Sequence, residues 1–192
     1  MMCKNRSTKD KSKSNKLYTP WHTLLAEVMI YIIDPDDFMV HPFEKLGTLP
    51  LESDFIIIRK KEHGKLKKAY PDLGFLIPYL GKYTVIEYKS PLDRVTFDDF
   101  DRIRAYMMLI KGKYKINYDS DIHAISLVSD FQHGYREHIE KNGYGFQKIE
   151  TGVYGHIGNN HHFYWIDLKK LPKKGKGGFK NYTHQGYYLC RV

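Results

Sequence analysis

Apolar residues recur at helical spacing in two stretches of the chain. The first stretch follows Thr19-Pro20, a pair that suits an N-cap with proline in the first helical position, and it ends near Asp34-Pro35. Its apolar positions are Trp21, Leu24, Leu25, Val28, Met29 and Ile32. The second stretch follows Thr96 and Asp99, which resemble a capping box with Asp in place of Glu, and it ends near Gly112. Its apolar positions are Phe97, Phe100, Ile103, Met107 and Ile110. The pattern predicts two amphipathic helices.

Short apolar runs rich in β-branched residues predict the strands of a central sheet. The runs 51–59, 82–91 and 122–128 each suit a strand, and the last one follows a helix, which favours a parallel crossover. Residues 73–80 are apolar but contain glycine and proline, so we expect a second strand or an irregular segment there. Residues 42–50, bounded by two prolines, are expected to form a loop.

The C-terminal part of the chain alternates between helical and extended patterns. Residues 131–142 suit a further helix, and the runs near 146–150, 152–157 and 161–168 suit an antiparallel β addition. We therefore predict an α/β fold: one domain over residues 17–168, with a mixed sheet flanked by helices. A disordered basic arm (1–16) precedes this domain, and a basic tail rich in Gly and Lys (169–192) follows it.

The positive charge is concentrated at both ends of the sequence. Of the formal net charge of +9, residues 1–16 contribute six Lys/Arg and one Asp, and residues 169–192 contribute seven Lys/Arg and no acid. Residues 17–168 carry 18 basic and 21 acidic side chains. Basic arms around a slightly acidic body suit the binding of a polyanion, although solvated, solubilising tails would have the same composition.

Three features of the sequence favour an intracellular, cytoplasmic protein without a membrane segment. No apolar run approaches the roughly 18 residues of a membrane span. The basic N-terminus is not followed by the apolar region of a signal peptide. The two cysteines, Cys3 and Cys190, lie at opposite ends and provide neither a disulfide framework nor zinc spacing.

The strand 82–91 carries a carboxylate and an ammonium group two positions apart. Side chains two apart on a strand share a face, so Glu87 and Lys89 lie together, and an acid on the earlier strand, Asp54, would meet them if the strands are neighbours. An ion pair on an edge strand would explain Glu-x-Lys equally well. Two adjacent carboxylates, however, repel each other unless a cation binds them, and Mg²⁺ and Mn²⁺ prefer oxygen ligands. Such an ion could activate water and stabilise a scissile phosphate, and Lys89 would orient or deprotonate that water.

Asp54 and the tripeptide Glu87-Tyr88-Lys89, with an αβββαβ pattern around them, resemble the PD-(D/E)XK nuclease superfamily, which has the restriction-endonuclease-like fold. The segments 86–91, 96–106 and 149–155 further resemble its Rpn/transposase-like branch. The resemblance spans about residues 19–168. It implies an endonuclease that uses Mg²⁺ or Mn²⁺ to hydrolyse DNA with little sequence preference, and it leaves RNA open as a substrate.

Carried over position by position, the resemblance assigns Asp54 and Glu87 as metal ligands, Lys89 as the catalytic lysine and Glu27 as an auxiliary metal ligand. Two positions depart from the family pattern. Ser53 replaces the proline of the motif, and Arg102 replaces a glutamine that some branches pair with a tyrosine, here Tyr106. Arg102 is therefore expected to contact phosphate. Further nucleic-acid contacts are expected from Tyr106 and from three tail residues: Lys173, Lys174 and Lys176.

Several alternatives remain open at this stage. Glu52 would share a face with Asp54 and could replace it as a ligand, whereas Asp72 and Asp93 suit turns. The histidines His156, His161 and His162 lie near Asn159-Asn160, but a His-Asn-His nuclease needs a ββα unit and this segment suits a turn between strands. The main functional alternative is a nucleic-acid-binding or interaction module of the same fold that has lost catalysis. A homodimer would suit double-strand cleavage.

Overall fold

The structure, a computed structural model, describes residues 20–46, 52–61, 66, 70, 73–90, 93–157 and 161–172. The predicted N-terminal arm and the tail beyond residue 172, including Lys173, Lys174 and Lys176, lie outside the described residues. Within them, no helix has the length and apolar character needed to cross a membrane.

A seven-stranded mixed sheet forms the centre of the fold, with the strand order β1-β2-β3-β4-β7-β6-β5. The strands are β1 (Phe38–Lys45), β2 (Glu52–Arg59), β3 (Tyr83–Tyr88), β4 (Ile122–Val128), β5 (Gln147–Glu150), β6 (Val153–Ile157) and β7 (His162–Asp167). Strands β3 and β4 pair in parallel, as do β4 and β7, and all other pairs are antiparallel. The predicted α/β class, the parallel crossover and the C-terminal antiparallel addition are confirmed.

Within the described residues, three α-helices flank the sheet: α1 (Pro20–Ile32), α2 (Phe97–Tyr114) and α3 (Tyr135–Lys141). The capping box predicted for α2 is present: the Thr96 side chain accepts the backbone N–H of Asp99, whose own side chain accepts the backbone N–H of Thr96. The helix passes Gly112 and ends at Tyr114, and its C-cap residue, Lys115, adopts the left-handed conformation with φ of 52°. The α2 prediction is thus confirmed, with its end two residues later than expected.

The side chains of the sheet separate into two hydrophobic cores. One face packs against α1 and buries residues such as Phe55, Ile57 and Ile86. The opposite face packs against α2 and α3, where Ile56, Val85 and Trp165 are buried. Asp54 and Glu87 follow the alternation of this second face, so their side chains lie on the same side of the sheet as α2.

One predicted segment has a different structure, for a physical reason. Residues 38–45 form the strand β1, whereas we expected a loop from residue 42 onwards. Pro42 is tolerated there because, within the described residues, β1 lies at the edge of the sheet and pairs with β2 alone. For residues 73–80, where we expected a strand or an irregular segment, the irregular segment is confirmed: they form turns and the 3₁₀ helix Ile77–Tyr79, and they bury Leu73, Leu76 and Leu80.

Four strand ends meet at one end of the sheet, which we call the C-terminal end. It contains the carboxyl ends of the parallel strands β3, β4 and β7 and, because β2 is antiparallel to β3, the start of β2. The chain leaving β3 stays beside the chain leaving β4: the Lys89 N–H donates to the Leu127 carbonyl at 2.8 Å, and Val95 forms a parallel bridge with Phe131. Loops at this end of a parallel sheet are common positions for functional side chains.

Candidate active site

Asp54 and Glu87 are brought together by the register of β2 and β3. Phe55 pairs with Ile86 in antiparallel register, and continuing this register by one residue puts Asp54 opposite Glu87. Directly opposed residues have Cβ atoms about 4.5–5.5 Å apart. Both residues are buried, with 9% and 7% of their surface exposed. The two carboxylates therefore share one poorly hydrated space at the C-terminal end of the sheet.

The Asp54 carboxylate is held by groups from two elements. Its Oδ2 accepts the backbone N–H of Tyr88 at 2.8 Å, which fixes the side chain against the end of β3. The same oxygen lies 3.6 Å from Nε2 of His22, in the first part of α1. The His22 ring also contacts the Tyr88 ring edge-on, with centroids 5.9 Å apart. These contacts orient Asp54 independently of any bound cation.

The surroundings of Glu87 disfavour the ionised form of its carboxyl group. Burial and the charge of Asp54 raise its pKa to about 8, although Arg102, the Asp54 backbone and Lys89 act in the opposite direction. Its Oε1 is buried, and within the described part of the chain it has no hydrogen-bond partner. A buried polar oxygen without a partner is costly, so Oε1 of Glu87 is available to a cation that would also favour the ionised form of the group.

Lys89 is connected to helix α2 through Asp99. Its Nζ lies 2.8 Å from Oδ1 of Asp99, whose other carboxylate oxygen forms the capping box with Thr96. Burial tends to raise the pKa of Asp99, but the hydrogen bonds from Lys89 and Thr96 outweigh it and the pKa is lowered. Asp99 is therefore ionised, and it holds the Lys89 ammonium group at the entrance to the site.

Arg102 links Asp99 to Glu87. It forms an ion pair with Oδ1 of Asp99, one turn earlier on α2, and its guanidinium lies 3.9 Å from Oε2 of Glu87. Burial tends to lower the pKa of Arg102, but the charges of Glu87 and Asp99 raise it. The order Lys89–Asp99–Arg102–Glu87 alternates in charge. In this conformation the arginine faces carboxylates, whereas we predicted that it would face a phosphate.

The remaining predicted residues are not gathered at this site. Glu27 is exposed on α1, and its helix brings His22 to Asp54 instead. Tyr106 is 2% exposed and belongs to the hydrophobic core between α2 and the sheet, so it has no surface open to a substrate. Asp93 accepts the Ser90 hydroxyl in a turn, as expected.

The histidine segment lies between β6 and β7, an antiparallel pair, as the sequence indicated. His156 Nδ1 accepts the backbone N–H of Gly145 at 2.8 Å, and its pKa is lowered by burial and by the neighbouring His162 and His161. The described residues contain no cluster of three or more His, Cys, Asp or Glu able to hold a metal. A His-Asn-His site is therefore not formed by the histidines that the structure describes.

The pair Asp54 and Glu87 does fit a hard divalent cation. Mg²⁺ is usually held by one or two carboxylates, and waters and substrate phosphates complete its octahedral shell. The unpartnered Glu87 Oε1 and the mutual repulsion of the two carboxylates would both be relieved by such an ion. The two residues supply the protein ligands that this mode of binding needs.

Sequence reasoning missed three contributors to the site. His22 had no distinguishing pattern, because it reaches Asp54 only through the packing of α1 against the sheet. Asp99 was recognised as a cap, but its contact with Lys89 depends on the path of the connection from β3 to α2. The contact between Arg102 and Glu87 likewise joins a helix to a strand.

Comparison with solved structures finds two matches of low similarity. One is the structure of an EndoMS–dsDNA complex (TM-score 0.39), and the other is a repair endonuclease from Pyrococcus abyssi (TM-score 0.40). Each is 15% identical to this chain; the alignments cover 73% and 74% of the chain but only 49% and 50% of those proteins. The chain thus spans about half the length of each. No protein family and no curated protein matches the sequence.

Proposed function

We propose that this protein is a nuclease of the PD-(D/E)XK type, related to the Rpn/transposase-like branch, which uses Mg²⁺ or Mn²⁺ to hydrolyse phosphodiester bonds in DNA. The observation that carries the proposal is the meeting of Asp54 and Glu87 with Lys89 at the C-terminal end of the sheet, where Glu87 keeps an unpartnered buried oxygen. The observed order α1-β1-β2-β3-α2-β4 matches the αβββαβ core of this superfamily.

Each residue of the site has a distinct part in this proposal. Asp54 and Glu87 would hold the cation, which when bound supplies Lewis acidity for the phosphate and for the attacking water. Lys89 orients that water with its ammonium group and offsets the negative charge that develops on the phosphate. Asp99 keeps Lys89 in position, and Tyr88 fixes Asp54 through its backbone N–H. Glu27 would join only if α1 shifted.

The proposed substrate is DNA, cut with little preference for sequence. Contacts from basic tails would fall on phosphates, which position the backbone and carry no base code. RNA would present the same phosphates. A single chain suffices for nicking, whereas cutting both strands of a duplex would suit a homodimer.

A second candidate is a nucleic-acid-binding module without catalysis. The observation that favours it is Arg102, because its guanidinium already supplies a positive charge beside Glu87 and Asp99. An arginine in this position would neutralise the carboxylates without a metal. The two candidates differ in whether the protein cleaves DNA when a divalent cation is present.

The experiment that separates them is nicking of supercoiled plasmid in Mg²⁺, Mn²⁺ or EDTA. Wild type should nick with either cation, and Lys89→Ala and Asp54→Ala should lower the rate at least about 100-fold. Lys82→Ala, an exposed lysine at the start of β3, is the matched control and should act like wild type. Equal nicking by all variants would overturn the proposal, as would salt-sensitive binding without nicking.

A further inference from the structure

We propose that a cavity at the C-terminal end of the sheet binds one unpaired nucleotide of the strand that the protein engages. The cavity has a volume of about 580 Å³, within the range of small-ligand sites. It is lined by the segment after β4, the start of α3, and residues of β5, β6 and the turn after β7. None of the residues assigned above to cation binding or to water activation lines it. The inference extends the proposed function by naming a substrate feature, an unstacked base.

Aromatic side chains form one wall of the cavity. Phe146 and Tyr154 stack nearly parallel, with centroids 5.0 Å apart and planes 18° apart. Phe131 stands almost perpendicular to both, 5.7 Å from Phe146 and 6.1 Å from Tyr154. Phe131 and Tyr154 are only half-buried, so part of each ring lies open to the cavity. Nucleobases stack on open aromatic rings of this kind.

Basic side chains surround this aromatic wall. Arg136, Lys148 and Lys170 line the cavity together with Glu137, and Arg136 pairs with Glu140 at 2.9 Å. Lys170 lies over the Tyr154 ring, 5.9 Å from its centroid, and pairs with Asp167 at 2.7 Å. Lys148 is exposed, and among the described residues it forms no ion pair. The combination of an apolar aromatic surface with the ammonium group of Lys148, which forms no ion pair within the described residues, matches a base joined to a phosphate.

The cavity lies on the same side and at the same end of the sheet as Asp54 and Glu87. Tyr154 pairs with Trp165, whose side chain is buried against α2, and the loop after β4 is tied to the loop after β3 by the Val95–Phe131 bridge. Tyr154 lies on β6, three strands from β3, so the separation is roughly 14 Å at a strand spacing of about 4.8 Å. That distance corresponds to about four nucleotide steps of 3.4 Å.

A strand passing over Glu87 could therefore place a base a few nucleotides away in the cavity. In a duplex that base is paired and stacked, and its faces are covered. The cavity accordingly favours single-stranded or frayed nucleic acid, and its contacts with a π-face and a phosphate carry little sequence information.

The test measures binding without turnover, by fluorescence anisotropy in EDTA with the full chain. The probes are a labelled DNA single strand of about 12 nucleotides, the same strand with abasic sites, and the paired duplex. Wild type should bind the single strand more tightly than either other probe. Tyr154→Leu should weaken single-strand binding by about 5- to 100-fold and leave abasic binding unchanged, whereas Tyr154→Phe, which keeps the ring, should bind like wild type.

The basic part of the site is tested by Lys148→Glu, with Lys60→Glu as its control. Both lysines are exposed, but Lys60 follows β2 at the opposite end of the sheet. Lys148→Glu should weaken binding about 10-fold and Lys60→Glu less than about 2-fold. Equal effects of the two substitutions would overturn the site. It would also be overturned if the wild-type protein bound the abasic strand as tightly as it binds the intact strand. Displacement of the strand by polyglutamate at matched charge would also overturn it.

These outcomes are independent of cleavage. If the binding pattern holds but plasmid is not nicked with metal, the nucleotide site stands and the nuclease proposal fails. If plasmid is nicked but Tyr154→Leu and Lys148→Glu bind as wild type does, the nuclease proposal stands and the nucleotide site fails. Because Lys148 is exposed, its substitution gives an answer even if Tyr154→Leu does not fold.

Discussion

Lys89 at the end of β3 is joined to Asp99 in the first turn of α2 by an ion pair of 2.8 Å. The same Asp99 caps its helix through Thr96 and pairs with Arg102, which in turn faces Glu87. One carboxylate therefore connects the proposed water-activating group, a helix N-terminus and the proposed metal ligand. Substitution of Asp99 should disturb the chemistry more than it disturbs the fold.

Asp99→Asn is predicted to lower the single-turnover cleavage rate by about 10- to 100-fold, the usual cost of losing a partner that orients a site residue. Asparagine can still accept the Thr96 backbone N–H, so the helix cap is largely kept. The pH profile of the rate should also change, because the ammonium group of Lys89 loses its anionic partner. Rates are measured across pH alongside the thermal midpoint of unfolding.

The matched control is Asp98→Asn, which removes an exposed acid from the same helical turn. It should leave the rate and the pH profile unchanged. If the two variants behave alike, Asp99 has only a capping role and does not position Lys89.

Glu87 should make the metal-free protein less stable as pH rises. Its pKa is raised to about 8 in the folded state from an ordinary value of 4.5, so between these two pKa values the folded state binds more protons than the unfolded state. The free energy of unfolding then falls with increasing pH, by up to about 1.4 kcal/mol per pH unit from this group. Glu87→Gln, which resembles the protonated form, should lose this dependence.

The measurement is denaturant unfolding of both proteins in EDTA from pH 5 to pH 8. Glu87→Gln should match wild type near pH 5 and exceed its stability near pH 8. Glu27→Gln, at an exposed carboxyl on α1, should show no such divergence. A constant difference between Glu87→Gln and wild type over this range would show that Glu87 ionises normally.

Arg102 should compete with a divalent cation for Glu87. Its guanidinium lies 3.9 Å from Oε2 of Glu87. Removing this positive charge removes the group that competes with the metal ion for the carboxylates. Arg102→Gln is predicted to bind Mn²⁺ about 10-fold more tightly, equivalent to about 1.4 kcal/mol. Free Mn²⁺ in a titration is measured by electron paramagnetic resonance, without substrate.

Arg104→Gln is the control for this experiment, because Arg104 lies on the same helix but pairs with Asp101. Its Mn²⁺ affinity should equal that of wild type. Weaker binding by Arg102→Gln would mean that the arginine supports the metal site instead of competing with the ion.

The basic C-terminal tail should contribute to DNA affinity through phosphates alone. Replacing Lys173, Lys174 and Lys176 by Gln is predicted to reduce the slope of log affinity against log salt by about 2 to 3, since each phosphate contact contributes about 0.7–0.9. The loss should be equal for unrelated sequences. The same change at Lys60, Lys82 and Lys115, at the opposite end of the sheet, is the control and should leave the slope unaltered.

The parts of the fold that the sequence predicted correctly are those with strong local patterns. The capping box at Thr96 and the β-branched run around Val85 predict α2 and β3 from the local sequence alone. The edge strand β1 was missed because Pro42 and the polar residues around it break the alternation, and only pairing with β2 makes the segment extended. For residues 73–80 the sequence left a strand and an irregular segment equally possible, because the leucines are buried in either case.

For the site, the sequence could group only the residues that lie on neighbouring strands. Asp54, Glu87 and Lys89 could be grouped because strand periodicity fixes which side chains share a face. The contacts of His22 and Arg102 depend on how helices pack on the sheet, which no spacing in the sequence reveals. Glu27 was a prediction from resemblance, and its helix presents it to solvent.

The central claim is that Asp54 and Glu87 together hold one divalent cation beside Lys89. Anomalous diffraction from crystals of the full chain soaked in Mn²⁺ tests it most directly. The account predicts one strong peak in contact with carboxylate oxygens of both residues, absent from crystals of Asp54→Asn. A peak at another position would contradict this claim. The absence of any peak, in crystals in which Arg102 still lies beside Glu87, would contradict it as well.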